Sequence, residues 1–288
     1  MIKTWINGKL TDIDKASVSI FDRGFLYGDG CFETMRSYAG VVFKIDEHLS
    51  RLLRSIKTIG LNNKHSASYF KNAISKMLKV NKLSNAYIRI AMTRGEGRIG
   101  IGYKDTFNPT VVIVTKNFEG YPSQMYSKGL SVKIAAKIRQ NEFSPISSIK
   151  SSNFLAYIMA RSEAQSAGYD DAVMLNTKDF VAEASTSNIF SLRRGVLMTP
   201  SIDSGILPGI TRKTVIDIAR KIRVRIVEKH IAPQDLLDSD EVFLTNSLAE
   251  ILPVTRINSR KIGDGTPGEL TKLLHLSYQK EVIRETLR

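Results

Sequence analysis

Lys150 has surroundings that suit covalent chemistry. It ends the stretch 146–150, in which Ile146 and Ile149 precede it, and residues 151–153 (SSN) after it predict the start of a helix. A lysine is usually a solvated surface group, and that is the competing interpretation here. Apolar neighbours nevertheless favour the neutral amine, which is the form that attacks a carbonyl group to give a Schiff base. Lys150 is therefore a candidate nucleophile.

A carboxylate and a helix start are further groups whose positions suggest chemistry. Glu183 follows Val181 on a mostly apolar predicted strand, where a carboxylate requires a cationic or protonated partner. A surface salt bridge is the competing interpretation. Residues 208–212 (PGITR) open a predicted helix, and helix N-termini bind anions readily. Hydroxyl and amide groups also collect at 245–247 (TNS), at the end of a strand. Each of these features alone could be structural.

The predicted elements that must position these groups form an α+β pattern. A hairpin around Asn7-Gly8 is followed by strands within 31–45 and by a helix that has Asp46 as its N-cap and ends at Gly60. The remaining predicted elements are a helix at 66–78, strands at 86–94, 110–116 and 129–138, a helix at 152–166, strands at 171–175 and 182–190, a helix at 211–221, a strand at 240–246 and a helix at 268–287.

The domain organisation follows from a break in this pattern. Residues 118–128 contain Gly120 and Pro122 and show no hydrophobic period, which is typical of an interdomain linker. We therefore predict an N-terminal α+β domain at 1–117, a linker at 118–128 and a C-terminal domain at 129–288.

The composition indicates a globular protein, with 42% hydrophobic and 24% charged residues. No stretch approaches the about 20 continuous apolar residues of a membrane span, and residues 1–10 lack the apolar core of a signal peptide. The single cysteine, Cys31, makes no internal disulfide. We therefore expect a cytoplasmic protein that does not associate with membranes.

The net charge is +14, with 42 Lys and Arg against 28 Asp and Glu. These basic residues are scattered, and neither a zinc-finger spacing nor an RNP-type motif is present, so we expect no nucleic-acid partner. A positive surface does attract small anions such as phosphates and carboxylates. The four histidines have no metal-ligand spacing, so no metal site is expected.

Together, and in this order, these features resemble the class IV (fold type IV) family of pyridoxal-phosphate (PLP) enzymes. That family includes branched-chain aminotransferases, D-amino-acid aminotransferases and aminodeoxychorismate lyases. The segments that carry the resemblance are 21–24 (FDRG), 27–33 (YGDGCFE), 47–52 (EHLSRL), 87–89 (YIR), 93–95 (TRG), Lys150 with Asn153, 183–188 (EASTSN), 208–212 (PGITR) and 245–254 (TNSLAEILPV).

The resemblance implies a small N-terminal domain of α/β sandwich-like form, a larger PLP-binding C-terminal domain with a pseudo-barrel core, and a homodimer. It implies that Lys150 holds PLP as a Schiff base and moves the α-proton, and that Glu183 pairs with the pyridine nitrogen. The residues implied to bind the cofactor phosphate are Arg51, Ile210, Thr211 and Ser247. Those implied to contact the substrate are Tyr27, Phe32, Thr34, Arg36, Tyr87, Arg89, Asn246 and Leu248.

Three reactions remain open within the family. The matches at Tyr27, Phe32 and Arg89 favour an aminotransferase that moves the amino group of an apolar, branched-chain-like L-amino acid to 2-oxoglutarate. Thr34, where branched-chain enzymes usually carry glycine, favours an aminodeoxychorismate lyase that releases pyruvate and 4-aminobenzoate. A D-amino-acid aminotransferase is the second alternative, although its Arg-x-His signature is absent near residues 99–101. A non-catalytic protein on the same scaffold is disfavoured because the lysine and its partners are all present.

Phe154 is a further departure from the branched-chain pattern. It stands where those enzymes usually have a tyrosine that contacts the 3′-oxygen of the cofactor.

Overall fold

The computed structural model describes residues 2–102 and 108–286 and divides the chain into two compact units. The first unit comprises Met1–Glu119, Ile149–Asn153 and Val282–Arg288. The second comprises Gly120–Ser148 and Phe154–Glu281. None of the helices in the described ranges combines the length and the apolar character that crossing a membrane requires.

The first unit contains an antiparallel sheet of six strands in the order β2-β1-β6-β5-β3-β4. Its strands are β1 (Lys3–Ile6), β2 (Lys9–Asp12), β3 (Gly30–Tyr38), β4 (Val41–Val42), β5 (Ala86–Thr93) and β6 (Thr110–Asn117). Its helices are α1 (Arg23–Tyr27), α2 (Ile45–Thr58) and α3 (Ala67–Val80), together with a 3₁₀ turn at Ile13–Lys15.

Strict alternation in β5 decides which face of this sheet is covered. Ile88, Ile90 and Met92 are buried in a core with apolar residues of α2 and α3, whereas Tyr87 and Arg89 lie on the other, half-buried face. This is the period of two expected of a strand with one face against a core. The sheet therefore has one structural face and one face on which polar side chains are available for chemistry.

The start of α2 differs from the sequence prediction. The helix begins at Ile45, and its N-cap is Lys44 with φ of +53°, so Asp46 lies in the first turn rather than at the cap. The second predicted strand of the pair 31–45 is correspondingly short, because β4 ends at Val42. The acidic first turn still complements the positive end of the helix dipole.

The second unit contains a mixed nine-stranded sheet in the order β12-β11-β10-β13-β14-β7-β8-β9, with β15 paired to β14. Its strands are β7 (Leu130–Gln140), β8 (Asp171–Asn176), β9 (Val181–Ala184), β10 (Asn188–Arg193), β11 (Val196–Pro200), β12 (Arg225–Lys229), β13 (Glu241–Asn246), β14 (Glu250–Ile257) and β15 (Arg260–Lys261). Its helices are α4 (Ser123–Lys128), α5 (Leu155–Ser166), α6 (Ile210–Lys221), α7 (Pro233–Leu237) and α8 (Glu269–Thr286), whose last turn belongs to the first unit; short 3₁₀ turns occupy Pro145–Ser148 and Ile202–Ser204.

This second sheet curls on itself. The end strand β9 also contacts β10 and β11, which lie far from it in the strand order. An apolar core fills the interior, with Val173, Ile189 and Leu244 among its members. The predicted pseudo-barrel core is therefore present.

Besides the start of α2, four segments for which an element or a boundary was predicted differ in the structure. The stretch 118–128 contains helix α4, and the division between the units falls after Glu119. The predicted strand 182–190 is two strands, β9 and β10, because residues 185–187 turn the chain so that Ala184 N–H bonds to Ser187. Helix α5 begins at Leu155 rather than at 152, because the preceding residues pair with β3. For the same reason residues 149–153 join the first unit instead of the domain 129–288.

Candidate active site

The backbone around Lys150 is held against the start of β3. Phe32 N–H donates to the Lys150 carbonyl oxygen at 2.9 Å, and Ser152 N–H donates to the Gly30 carbonyl oxygen at 2.9 Å. Cys31 and Ser151 form an antiparallel bridge between these bonds. Lys150 therefore extends from a fixed backbone, although the residues around it do not belong to a regular element.

The side chain of Lys150 lies beside an aromatic ring. Its Nζ is 4.7 Å from the centroid of the Phe32 ring, and the Arg89 guanidinium carbon is 3.7 Å from the same centroid. Phe32 itself is buried, at 4% exposure. Such contacts attract a cation to the ring face and fix its position. One ring thus brings the candidate nucleophile and a guanidinium together.

The open face of the first sheet collects the predicted substrate residues of the neighbouring strands β3 and β5. Thr34 pairs with Arg89, and Arg36 pairs with Tyr87, in the β3–β5 register. Residues directly opposite in an antiparallel pair share a face, and alternation places Phe32 on that face too. Tyr27 lies outside the sheet at the end of α1, where its hydroxyl accepts a hydrogen bond from Gly100 N–H at 2.8 Å.

Arg51, predicted to bind the cofactor phosphate, is paired with a buried carboxylate that sequence reasoning missed. Its Nε and Nη2 donate to the two oxygens of Glu33 at 2.7 and 2.9 Å, and His48 Nδ1 lies 2.7 Å from Glu33 Oε2. All three side chains are buried. Glu33 alternates with Phe32 and therefore faces the core. The structure fixes the Arg51 side chain through this pair.

The protonation of this cluster follows from its charges. Burial alone would raise the pKa of Glu33, but Arg51 and His48 outweigh it and lower the pKa to about 2. Burial lowers the pKa of His48, and the charges of Arg51 and Lys150 lower it further, so that it lies below its ordinary value although Glu33 raises it. At neutral pH the cluster is therefore a Glu33–Arg51 ion pair to which a neutral histidine donates a hydrogen bond.

In the second unit, Glu183 is buried on β9 at 4% exposure and accepts hydrogen bonds from three groups of that unit. Tyr157 Oη donates to its Oε1 at 3.2 Å, while Asn188 Nδ2 and Leu207 N–H donate to its Oε2 at 3.0 and 3.1 Å. Donors to a carboxylate favour its ionised form. A buried carboxylate that such donors hold in one orientation suits a protonated pyridine nitrogen as its partner.

Asn188 connects Glu183 to the start of α6. Its Nδ2 also donates to the Leu207 carbonyl oxygen at 2.9 Å. Gly209, the N-cap of α6, lies so close that a Cβ there would be 1.9 Å from Asn188 Oδ1. Only glycine allows this approach, which explains its place before the helix. The carboxylate and the helix N-terminus are therefore parts of one hydrogen-bonded structure.

The N-terminus of α6 presents donors that suit a phosphate. The first N–H groups of a helix have no intrahelical acceptor, and here they belong to Ile210 and Thr211. Thr211 is 2% exposed, and its Oγ1 has no hydrogen-bond partner among the described residues. Thr245 Oγ1 is likewise buried without a partner in the described ranges, and Thr245 pairs with Asn188 across β10 and β13. Two buried hydroxyl groups without a hydrogen-bond partner among the described residues suit an anion that would accept hydrogen bonds from them.

The turn after β13 holds the remaining predicted residues. Asn246 Nδ2 donates to Ser187 Oγ at 2.8 Å, and its Oδ1 accepts from the N–H groups of Leu248 and Ala249 at 2.9 and 2.8 Å. The Asn246 side chain therefore builds the turn that positions Ser247 and Leu248.

Tyr157 is a second residue that sequence reasoning missed. Its hydroxyl accepts from Gln140 Nε2 at 2.5 Å and donates to Glu183, and its ring stacks on Phe154 at 4.9 Å. Burial, and then the charge of Glu183, raise the pKa of Tyr157 above its ordinary range. The signal in the sequence was faint: a tyrosine seven positions after Lys150 gives no hint of a bond to a residue on another strand.

Three relatives illustrate what this chain is similar to. It is 37% identical over 278 residues to the putative branched-chain-amino-acid aminotransferase of Methanocaldococcus jannaschii, covering 96% of both chains. It is 31% identical over 287 residues to the D-alanine aminotransferase of Bacillus licheniformis, covering 100% of this chain and 99% of that one. It is 33% identical over 282 residues to the aminodeoxychorismate lyase of Bacillus subtilis, covering 96% and 94%.

Solved structures show the same fold. The branched-chain aminotransferase of Escherichia coli matches with a TM-score of 0.94 at 27% identity, covering 97% of this chain and 94% of that one. The branched-chain aminotransferase of Thermoproteus uzoniensis with norvaline matches with a TM-score of 0.91 at 33% identity, covering 98% and 95%. A further branched-chain aminotransferase, solved with pyridoxamine 5′-phosphate, matches with a TM-score of 0.93 at 28% identity, covering 98% and 94%.

The fold and these groups define a fold type IV enzyme that uses PLP. The sequence profile described as amino-transferase class IV matches residues 30–257, and the chain belongs to that family. The predicted family, α+β fold and cofactor are confirmed, whereas the relatives carry three different activities.

Proposed function

We propose that this protein is an aminotransferase that moves the amino group of an apolar, branched-chain-like L-amino acid to 2-oxoglutarate. The observation that carries the proposal is the Phe32 ring, flanked by Lys150 Nζ at 4.7 Å and by the Arg89 guanidinium at 3.7 Å. The ring holds the amine and the guanidinium beside each other, and the guanidinium offers a planar pair of donors to the carboxylate of an amino acid. The half-buried face of the sheet around it would receive the apolar side chain of the substrate.

The proposed roles follow from the groups described above. Lys150 Nζ would hold the cofactor covalently and would carry the α-proton once it leaves the substrate. Glu183 would pair with the protonated ring nitrogen. When bound, PLP supplies the electron sink that makes the α-proton acidic. Ile210, Thr211, Ser247 and Arg51 are the proposed phosphate-binding residues.

Substrate recognition is proposed for the open face of the first sheet and for three further positions, Tyr27, Asn246 and Leu248. Arg89 and Arg36 are cationic side chains of that face, and 2-oxoglutarate carries two carboxylates that such groups would bind. Phe32, Tyr27 and Tyr87 would surround the apolar side chain. The remaining proposed contacts are Thr34, Asn246 and Leu248.

A lyase that releases pyruvate from aminodeoxychorismate is the second candidate. Thr34 supports it, since its hydroxyl lies on the same face as Arg89, directly opposite it in the register. The similarity to the Bacillus subtilis lyase points the same way. A D-amino-acid aminotransferase is supported by the similarity to the Bacillus licheniformis enzyme.

Product analysis separates these reactions. The PLP-loaded protein is incubated with L-leucine, L-isoleucine or D-alanine together with 2-oxoglutarate, and separately with aminodeoxychorismate alone. The proposal expects L-glutamate from the branched-chain substrates and no pyruvate from aminodeoxychorismate. Pyruvate release without any acceptor would establish the lyase instead, and Thr34→Gly would then be expected to slow it. If D-alanine is the only amino donor that works, and D-glutamate is its product, both the branched-chain and the lyase assignments are wrong.

A further inference from the structure

We propose that Tyr157 is a positioning residue that holds Glu183 ionised and aimed at the ring nitrogen of the cofactor, with Gln140 holding Tyr157 in turn. The inference rests on the proposed role of Glu183 and extends it to a relay of three side chains. All three belong to the second unit.

The direction of the hydrogen bonds supports this relay. Gln140 Nε2 can only donate, so the Tyr157 hydroxyl oxygen accepts that bond at 2.5 Å. The hydroxyl proton is then directed to Glu183 Oε1 at 3.2 Å. The raised pKa of Tyr157 keeps that proton in place at neutral pH. Gln140 therefore fixes which way the tyrosine donates.

The kind of donor matters as much as its direction. The Tyr157 hydroxyl, the Asn188 amide and the Leu207 N–H all donate to Glu183, and none of these three groups carries a formal charge. These three donors orient the carboxylate and add no positive charge of their own, whereas an arginine in the place of one of them would compete with the protonated ring nitrogen. Each donor also favours the ionised carboxylate. Removing one of these donors would make the Glu183 carboxylate more basic. The proton of the ring nitrogen would then move to Glu183.

The tyrosine ring is held independently of its hydroxyl. It stacks on Phe154 with centroids 4.9 Å apart and packs against a buried cluster that includes Ala160 and Ala164 of α5. Tyr169 packs against the same cluster. Replacing either tyrosine with phenylalanine therefore keeps the ring contacts and removes a hydroxyl. Tyr169→Phe is the matched control for Tyr157→Phe.

The test compares PLP with its 1-deaza analogue, in which carbon replaces the ring nitrogen. Cofactor-free wild-type protein, Tyr157→Phe and Tyr169→Phe are each titrated with both compounds by absorbance. We expect Tyr157→Phe to weaken PLP binding by about tenfold, as for loss of a hydrogen bond to a charged group, and to leave binding of the analogue nearly unchanged. A structural role alone would weaken both compounds equally, and that result would overturn the proposal. Tyr169→Phe is expected to bind both compounds as the wild type does.

Two further variants keep the outcome decisive. Gln140→Met retains the size of the side chain but removes the amide that donates to Tyr157. If this variant no longer binds PLP more tightly than the analogue, the relay is supported even where Tyr157→Phe is poorly folded. Glu183→Gln tests the proposed function itself. If Glu183→Gln no longer binds PLP more tightly than the analogue while Tyr157→Phe still does, only the Tyr157 proposal fails. If both variants still bind PLP more tightly, the assignment of Glu183 to the ring nitrogen is wrong.

Discussion

The Arg89 guanidinium carbon lies 3.7 Å from the centroid of the Phe32 ring, on the open face of the first sheet. The contact fixes a cation beside an apolar surface, and Lys150 Nζ approaches the same ring at 4.7 Å. The arrangement separates the two parts of an amino acid that such an enzyme must recognise. It also allows the contribution of the guanidinium to be measured without disturbing the buried core.

Arg89→Lys keeps the charge but loses the planar pair of donors. We expect KM for L-leucine to rise by about tenfold with a smaller change in kcat, because a bidentate carboxylate contact is lost. Steady-state kinetics measures this. The control is Lys116→Ala. It removes an exposed cation of β6 that lies opposite Tyr87 in the register of the same sheet. An Arg89→Lys enzyme with the kinetics of the wild type would show that Arg89 does not bind the substrate.

Thr211→Val separates binding from folding. The Thr211 hydroxyl is buried without a partner among the described residues, so removing it should not destabilise the cofactor-free protein. We expect PLP affinity to fall by about tenfold while the free energy of unfolding is kept or increased. The Thr214 hydroxyl donates to the Ile210 carbonyl oxygen at 3.0 Å. Thr214→Val should therefore lower the free energy of unfolding and leave the PLP affinity unchanged. Unchanged PLP affinity in Thr211→Val would exclude the hydroxyl from the phosphate site.

Gly209→Ala places a Cβ 1.9 Å from Asn188 Oδ1. The overlap should displace Asn188, weaken PLP binding and cost about 1–3 kcal/mol of stability. Chemical unfolding and PLP titration give the two numbers. Gly102→Ala, whose Cβ would meet nothing within 4 Å, is the matched control. A Gly209→Ala protein as stable as this control would contradict the close approach.

The Glu33–Arg51 pair predicts how stability depends on pH. Because the pKa of Glu33 is lowered from 4.5 to about 2 in the folded protein, its ionised form stabilises the fold. That contribution is complete above the unfolded-state pKa of 4.5 and is lost as the pH falls towards 2. Glu33→Gln should therefore lose about 3–5 kcal/mol at pH 7, since it removes the carboxylate that is paired with a buried guanidinium.

The difference between wild type and Glu33→Gln should also shrink as the pH falls through this window, which unfolding curves at several pH values would show. Asp217→Asn removes an exposed partner of Lys213 and should cost less than about 1 kcal/mol. A difference that stays constant from pH 7 to pH 3 would refute the lowered pKa.

The regular elements were predictable because their patterns are local. The alternation of β5 and the Asn7-Gly8 hairpin depend on neighbouring residues. One error falls where a distant strand decides the structure. Residues 150–152 are not helical because they pair with β3, and nothing near them in the sequence indicates that partner.

The candidate site divides in the same way. Lys150, Glu183 and Arg51 were proposed from residue type and order. The groups that orient Glu183 and Arg51 were not, because Tyr157, Asn188 and Glu33 act through hydrogen bonds that only the folded chain creates. A sequence can therefore indicate which residues carry the chemistry, while the residues that hold them in place depend on packing.

The central claim is that Lys150 is the residue that holds the cofactor, and one experiment tests it directly. The PLP-loaded protein is reduced with borohydride, digested and analysed by mass spectrometry for a lysine that carries the reduced cofactor. We predict that the modification lies on Lys150 and that it disappears when the loaded protein is first treated with L-leucine, which takes the place of the lysine amine. A modification on any other lysine, or a Lys150→Ala protein that still turns over substrate at the wild-type rate, would contradict the account.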